Sequence, residues 1–205
     1  MDESPFARIL ASLVARIPGA YAAALVDREG ETVDYAGHVQ PFDVRVAAAH
    51  LRILLVHCEE LTFWGTPQTL IMKGTKKSTL MRALPEGYAL VVMMRKRAGF
   101  ARSERAFTVC ERALAREADW PISEVARGWV AAEVDCDAKG RPLRVIDEDK
   151  AYPVEVLGTV MSISHRGERG FRVRTEDGNE ITLVREPGWF WYADEPPAGA
   201  KSQRR

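Results

Sequence analysis

The sequence predicts an α+β protein in which one antiparallel sheet is covered by helices and is followed by an all-β domain. In three segments before residue 118, apolar residues recur at the period of one helix face. Two and then three short β-type runs separate those segments, which is typical of a single antiparallel sheet. After Trp120, only short β-type runs and turns follow. The domains expected are residues 1–118, a linker at 119–127, an all-β domain at 128–194 and a disordered tail at 195–205.

The first helix is predicted from Phe6 to Ile17, where apolar residues follow three- and four-residue steps. Ser4 supplies a candidate N-cap and Pro5 a first-turn proline. Two strands are expected next, from Ala20 to Asp27 and from Glu31 to Ala36, with a tight turn at Arg28-Glu29-Gly30 between them.

A second helix is predicted from Asp43, as its cap, to Leu61. Its apolar positions form a stripe wider than one sheet face needs. A third helix is expected from Arg102 or Ser103 to Ala118. Between these helices, short apolar runs separated by turn residues predict three strands: Gln68 to Met72, Ser78 to Leu84 and Tyr88 to Met94.

The stretch from Ile17 to Val33, I-P-G-A-Y-A-A-A-L-V-D-R-E-G-E-T-V, resembles the opening of the roadblock/dynein light chain family. Ala47-Ala48-Ala49 in the second helix and the turn Leu84-Pro85-Glu86-Gly87-Tyr88 agree with the same pattern. The resemblance covers residues 5–118. It implies a longin- or profilin-like α-β-β-α-β-β-β-α domain with a five-stranded antiparallel sheet.

The resemblance also implies a dimer, because members of this family pair through the second helix and the third strand. The partner would be a second copy of this chain or another roadblock protein. An uncovered edge strand and a wide apolar stripe are compatible with such pairing. The interface residues expected here are Leu51, Leu54, Leu55, Cys58, Leu61, Leu70 and Met72.

The function implied by the resemblance is that of a non-enzymatic regulator or scaffold that binds a small Ras-like GTPase, as bacterial roadblock regulators do. An alternative is a sensory or peptide-binding adaptor. In that case the roadblock half only dimerises and the all-β domain recognises the partner.

The all-β domain suggests a small barrel or sandwich, of which an SH3-like barrel is one form. Trp189-Phe190-Trp191-Tyr192 concentrates its aromatic residues, and strand alternation would place Trp189 and Trp191 on one face. Core packing is the favoured interpretation. An exposed pair could instead dock an extended or proline-rich peptide, or stack on bases. The strands expected are Trp129 to Asp135, Leu143 to Ile146, Val154 to Ser164, Phe171 to Thr175 and Glu180 to Arg185.

The densest basic stretch lies at the end of the fifth strand and the start of the third helix. A solvated face is the ordinary interpretation. The functional alternative is a contact patch for an acidic protein surface. An arginine finger for a GTPase is also conceivable, although nothing favours it over charge complementarity. The residues are Arg95, Lys96, Arg97, Arg102 and Arg105.

The sequence predicts no catalytic residue, metal site or cofactor. His57 and Cys58 are helix neighbours and so point about 100° apart, which disfavours a thiol–imidazole pair. The segment from Lys73 to Ser78 lacks the first glycine of a phosphate loop and lies between strands, which favours a hairpin. Asp135-Cys136-Asp137 has too few ligands for a calcium loop.

Charge, hydropathy and cysteine content argue against several kinds of partner and against disulfides. Lys plus Arg and Asp plus Glu are equal at 29 each, so no overall field would attract nucleic acid. No apolar run is long enough to span a bilayer, and no export pattern opens the chain, so a cytoplasmic protein is expected. Three widely separated cysteines without a C-x-x-C pair argue against disulfides.

Overall fold

The computed structural model describes residues 4–61, 63, 65–96, 98, 104–121, 128–147, 150–160 and 167–194. The chain divides into two compact units. The first consists of residues 1–102 and 110–123, and the second of residues 103–109 and 124–205.

The first unit opens with helix α1, Pro5–Arg16, which begins where the sequence predicts. The Ser4 side chain accepts a hydrogen bond from the Ala7 backbone N–H at 3.0 Å, so it caps the helix. Strands β1, Ala20–Val26, and β2, Thr32–Gly37, follow. In the turn between them, the Asp27 carboxylate accepts the backbone N–H of Glu31 at 2.8 Å.

Helix α2 runs over Pro41–Glu59 and so begins two residues before the predicted cap. Pro41 occupies the first turn, where its missing N–H leaves no intrahelical bond unmade, and Gln40 is the N-cap. Asp43 therefore lies in the first turn of the helix and is not its cap. The remaining elements of this part of the chain are β3 (Thr69–Lys73), β4 (Lys77–Ala83), β5 (Ala89–Arg95) and α3 (Glu104–Glu117).

The five strands of the first unit form one antiparallel sheet in the order β2-β1-β5-β4-β3. The predicted α-β-β-α-β-β-β-α order and the five-stranded sheet are thereby confirmed. β2 and β3 are the two edge strands. At the β3–β4 turn, the Gly74 N–H donates to the Lys77 carbonyl at 2.9 Å, so this segment is the expected hairpin.

Helices cover both faces of the sheet. On one face, Ala22, Ala24 and Val26 of β1 join α2 residues in a buried apolar cluster. Their alternating neighbours, including Ala23 and Leu25, are also buried and point to the other face, where α1 packs on β1 and β2. On that second face, Arg82 of β4 pairs with Glu111 of α3 at 2.6 Å. The sheet is therefore the middle of three layers.

The second unit contains a closed barrel in which strands that are consecutive in the chain are neighbours and β11 closes on β6. The predicted barrel is confirmed, with six strands. Its interior includes Phe171 and Trp191, whose ring centroids lie 5.9 Å apart. The strands are β6 (Trp129–Cys136), β7 (Pro142–Asp147), β8 (Lys150–Val160), β9 (Arg169–Thr175), β10 (Glu180–Glu186) and β11 (Phe190–Asp194).

Several predictions fall outside the described residues, namely Arg97, Arg102, the strand end from 161 to 164, most of the linker and the tail at 195–205. The domain boundaries stay predictions. Trp120 was assigned to the linker, yet its ring packs on Tyr88 of the first unit with centroids 4.5 Å apart. Among the described residues, no helix combines the length and apolar character needed to cross a membrane.

Gly37 at the end of β2 should be intolerant of any side chain. Its φ is +113°, and an added Cβ would overlap the Tyr21 carbonyl oxygen and lie 2.6 Å from the Cα of Ala22. We expect Gly37→Ala to lower the free energy of unfolding by more than about 3 kcal/mol, because backbone clash adds to the left-handed strain. Urea unfolding would measure the loss.

Gly30→Ala is the matched control. Gly30 also has a positive φ, +89°, but its Cβ would meet neighbours only at 3.7 Å and beyond. That variant should lose only about 1 kcal/mol, the cost of left-handed backbone alone. Equal losses for the two variants would contradict the role given to the Tyr21 carbonyl.

Candidate functional site

Helix α2 presents apolar side chains on two opposite sides. Leu51 and Leu55 were predicted to lie at a dimer interface, but they are 5% and 1% exposed and pack into the core of their own unit. This part of the prediction is wrong. The sheet face of α2 takes positions 44, 48, 51 and 55, which share one side of the helix, so these two leucines cannot reach another chain.

The side of α2 that faces away from the sheet is also apolar. Ile53 is two residues from Leu51, so it lies about 200° around the helix, and it is 54% exposed. Phe42 is 73% exposed on the same side. Sequence reasoning missed this face, although its three- and four-residue spacing was available as a signal. We name it the outer seam of α2, and it consists of Phe42, Val46, Ala49, Ile53 and Val56.

A third side of α2 faces the β3 edge of the sheet. Ala47 on this side and Leu70 of β3 pack partly buried against the same core cluster. Leu54 projects from the same side and is exposed, Leu61 follows the helix exposed, and Cys58 is half-buried. Met72 is exposed on β3. Five of the seven predicted interface residues are therefore exposed or partly exposed in this unit: Leu54, Cys58, Leu61, Leu70 and Met72.

The two edges of the sheet differ in how open they are. In the β3–β4 ladder, Ala83 N–H bonds the Gln68 carbonyl and Gly74 N–H bonds the Lys77 carbonyl. Antiparallel hydrogen bonds join every second pair, so Thr69 and Ile71 point their backbone groups away from β4, toward the outer edge of the sheet.

The β2 edge is guarded by a side chain. The His38 N–H donates to the Tyr21 carbonyl. Because inward and outward backbone groups alternate every residue along an antiparallel strand, the Tyr35 N–H points outward, away from β1. The Asp34 carboxylate accepts that N–H at 2.8 Å and also accepts a hydrogen bond from the Ser4 hydroxyl. A carboxylate placed on an outward backbone group disfavours pairing with another strand. Among the contacts of the described residues, no side chain is placed in this way on Thr69 or Ile71 of β3.

An open groove lies where the outer seam meets the β1–β2 turn. It has a volume of about 580 Å³ and combines apolar side chains of α2 with one charge of each sign. At Gly30 the turn lies next to α2, since a Cβ there would be in ordinary contact with the Ala49 Cα at 3.7 Å. The lining residues are Gly30, Glu31, Thr32, Phe42, Arg45, Val46 and Ala49.

The predicted basic stretch is divided by the structure. Arg95 and Lys96 are exposed at the end of β5, and among the described residues no carboxylate lies within ion-pair distance of either. They therefore present free positive charge.

Arg105 does not belong to an exposed patch, which corrects the prediction. Within the second unit, its guanidinium lies 2.9 Å from a Glu186 oxygen and 3.3 Å from a Glu168 oxygen, and both carboxylates are buried. The same guanidinium lies 4.7 Å from the centre of the Trp129 ring. Its charge is balanced by two buried carboxylates, so it is not available as a partner contact or an arginine finger.

The two tryptophans named as possible partner contacts differ in exposure. Trp189 is 66% exposed in the turn before β11, with φ +66°. Trp191 is 5% exposed inside the barrel. The expectation that both share one face is wrong, because β11 begins only at Phe190 and alternation does not extend to Trp189.

The titratable groups offer little for catalysis. Burial raises the pKa of the Cys110 thiol far above its usual value, and Glu111 adds to the effect, so this thiol is not a thiolate nucleophile. Burial also raises the pKa of Cys136, against the opposing effect of Arg185. The Asp137 pKa is lowered because its carboxylate accepts the backbone N–H groups of Arg141 and Lys139. Among the described residues, no three metal-binding side chains converge.

No protein-family model matches the sequence, and a search of curated proteins finds no match. Solved structures do match its N-terminal part. Myxococcus xanthus MglB is 18% identical with a TM-score of 0.49, over 58% of this chain and 98% of that one. The gliding protein MglB of Thermus thermophilus is 20% identical with a TM-score of 0.48, over 58% and 94%. A Streptomyces avermitilis roadblock/LC7 domain is 16% identical with a TM-score of 0.43, over 55% and 91%.

The first unit has the α-β-β-α-β-β-β-α order and the five-stranded antiparallel sheet that the sequence resemblance to roadblock domains implies. Its strand order and its helices on both faces match the arrangement that the sequence resemblance implies. Identities of this size concern the fold alone, so the roles of individual residues rest on the geometry given above.

Arg105 should be a stability residue of the second unit. Replacing it with Met removes the cation that lies 2.9 Å from the buried Glu186 carboxylate, and breaking a buried ion pair from one side costs about 3–5 kcal/mol. We expect Arg105→Met to lower the free energy of unfolding by that amount in urea titrations followed by tryptophan fluorescence.

Two controls separate this effect from a general loss of charge. Arg105→Lys keeps the positive charge and should lose clearly less. Lys96→Met removes an exposed lysine and should stay within about 0.5 kcal/mol of the parent. A loss at Lys96 equal to that at Arg105 would rule out the buried ion cluster as the cause.

Proposed function

We propose that this protein is a non-enzymatic, dimeric regulator that binds a small Ras-like GTPase through its roadblock-type unit. One observation carries the proposal: α2 exposes an apolar outer seam on the side that faces away from the sheet. At the β3 edge, the backbone groups of Thr69 and Ile71 point outward. Such surfaces serve contact between proteins and offer no arrangement for covalent chemistry.

The dimer would form at the β3 edge. Pairing two copies of β3 antiparallel about a two-fold axis would give partners to the outward backbone groups of Thr69 and Ile71, and would join two five-stranded sheets into one. The same axis brings Leu54, Leu61 and Met72 of one copy close to those of the other. An isologous contact of this kind combines backbone hydrogen bonds with apolar burial.

The GTPase would bind the outer seam of α2, with Arg95 and Lys96 as a separate charged contact. The seam holds exposed aromatic and branched side chains, the kind that supply most of the binding energy at protein interfaces. Exposed arginine and lysine mainly increase the association rate with an acidic partner.

A second candidate is an adaptor in which the roadblock-type unit only dimerises and the barrel recognises the partner. The exposure of Trp189 favours it. In that case, substitutions on the outer seam would leave partner binding unchanged.

The dimer proposal predicts a specific effect of proline on β3. The Ile71 N–H faces the open edge, so Ile71→Pro removes no hydrogen bond of the β3–β4 ladder. It removes one bond from each side of the two-fold interface, at about 1 kcal/mol per bond. We expect the dimer dissociation constant to rise at least tenfold, measured by sedimentation velocity or light scattering across a concentration series.

Ile71→Ala is the control, since it shortens the side chain but keeps the N–H. It should weaken the dimer much less than Ile71→Pro. A parent protein that is monomeric at high concentration, or a dimer that tolerates proline at Ile71, would refute pairing through β3.

The GTPase proposal is tested with a small Ras-like GTPase encoded beside this protein in its host. The parent protein should bind it and change its rate of nucleotide hydrolysis or exchange. Ile53→Asp places a charge in the outer seam and should weaken binding at least tenfold. The Arg95→Glu, Lys96→Glu double variant should slow association and flatten its salt dependence.

Lys139→Glu is the charge-reversal control on the barrel and should leave GTPase binding unchanged. Absence of any effect of the parent protein on such a GTPase would count against the regulator. Binding that survives Ile53→Asp but fails with barrel variants would favour the adaptor.

A further inference from the structure

Trp189 lies in a conformation that its local structure does not explain. The turn between β10 and β11 holds it at φ +66°, in the left-handed region that bulky side chains rarely adopt. Asparagine or glycine would form the same turn with less strain, whereas tryptophan there costs about 1 kcal/mol. The indole is mostly exposed, so burial returns little of that cost. Strain of this kind is often found where a side chain serves binding.

Arg185 stacks on this indole with hydrogen-bond donors to spare. Its guanidinium carbon lies 4.2 Å from the Trp189 ring centre, a cation–π contact that fixes the orientation of the group. Among the described residues, no carboxylate lies within ion-pair distance of Arg185. A planar guanidinium that is fixed in orientation and has unused hydrogen-bond donors is suited to binding a carboxylate.

The neighbouring β6–β7 turn adds to the positive charge. Gly140 approaches Arg185 so closely that an added Cβ would lie 2.9 Å from its Nη1 atom. Lys139 and Arg141 flank this glycine and are exposed. The one carboxylate of the turn, Asp137, is occupied by the backbone N–H groups of Lys139 and Arg141.

An apolar side chain completes this end of the barrel. Leu143, just after the same turn, is half exposed. We propose that this surface, the barrel-end site of Lys139, Leu143, Arg185 and Trp189, binds an acidic, proline-containing segment of a partner protein. Arg185 takes a carboxylate, Lys139 adds positive charge, and the indole and Leu143 contact proline rings in an extended chain.

Charge favours a peptide over single-stranded nucleic acid at the barrel-end site. Single-strand binding needs a groove of positive charge along several phosphates and repeated aromatic platforms. The barrel-end site offers one exposed indole, and the whole chain has no net charge. A peptide with a carboxylate beside a proline matches the guanidinium and the single exposed indole of the barrel-end site.

The test uses full-length protein and two synthetic pentapeptides of alternating proline with glutamate or with glutamine. Binding is followed by NMR through the Trp189 indole N–H and the Gly140 amide. We expect saturable shifts with the glutamate peptide at concentrations on the order of millimolar. The glutamine peptide should bind at least tenfold more weakly, because it offers no carboxylate to Arg185.

Variants at the barrel-end site should reduce binding while keeping the fold. Trp189→Asn retains a residue that tolerates the left-handed turn, and Arg185→Met retains the length of the side chain. Each should weaken binding of the glutamate peptide at least fivefold, measured from the NMR shift of the Gly140 amide. Arg144→Met and Tyr152→Ala are matched controls, since Arg144 is an exposed barrel arginine and Tyr152 an exposed ring at the opposite barrel end.

Three outcomes would overturn the proposal. The first is no saturable shift with the glutamate peptide. The second is equal binding of the two peptides, or of the parent and the Arg185→Met variant. The third is tighter binding of an oligothymidine strand than of the peptide, which would assign the barrel-end site to nucleic acid. None of these results depends on dimerisation or on a GTPase, so they leave the proposed regulator role to its own tests.

Discussion

Helix α2 carries apolar side chains on opposite sides, and a sheet can bury only one of them. Positions 44, 48, 51 and 55 are buried against the sheet, which contributes about 1.5–3 kcal/mol for each Val or Leu. Ile53 and Phe42 remain on the opposite side, exposed to water. A helix that is apolar nearly all round is normally enclosed. The first unit therefore buries its own core and still exposes an apolar surface that can be buried in a complex.

The two edges of the sheet differ in how accessible they are to a partner strand. At β2, the Asp34 carboxylate occupies an outward N–H and is itself linked to Ser4 at the start of α1, so the same carboxylate connects β2 to α1 and blocks the edge. β3 has no comparable guard among the described contacts, and exposed Met72 and Leu54 lie on that side. Since α2 runs above the sheet, a partner strand at β3 would leave the outer seam uncovered. Dimerisation and partner binding can then use different sides of one helix.

Periodicity was sufficient to predict the helices, the strands and the sheet, but it did not predict which side of α2 is buried. The helical repeat located α1 and α2, and turn residues separated the strands, because both signals are local. The repeat did not show which part of a wide apolar stripe meets the sheet, so Leu51 and Leu55 were assigned to an interface they cannot reach. Arg105 looked like surface charge because Glu168 and Glu186 lie more than sixty positions away in sequence. Trp189 and Trp191 were paired by alternation that begins only at Phe190.

Closure of the barrel determines where the second unit can make contacts. A closed barrel has no edge strand, so strand addition is unavailable to it. Its interior is filled by side chains such as Phe171 and Trp191. Part of its outer surface is buried as well, since Val184 and Tyr192 point away from the interior and are almost inaccessible. Large side chains are exposed on outer strand faces, as Tyr152 is, and most of all in the turn before β11. Trp189 occupies that turn, and its stacking on Arg185 holds an apolar ring and a charge in one place.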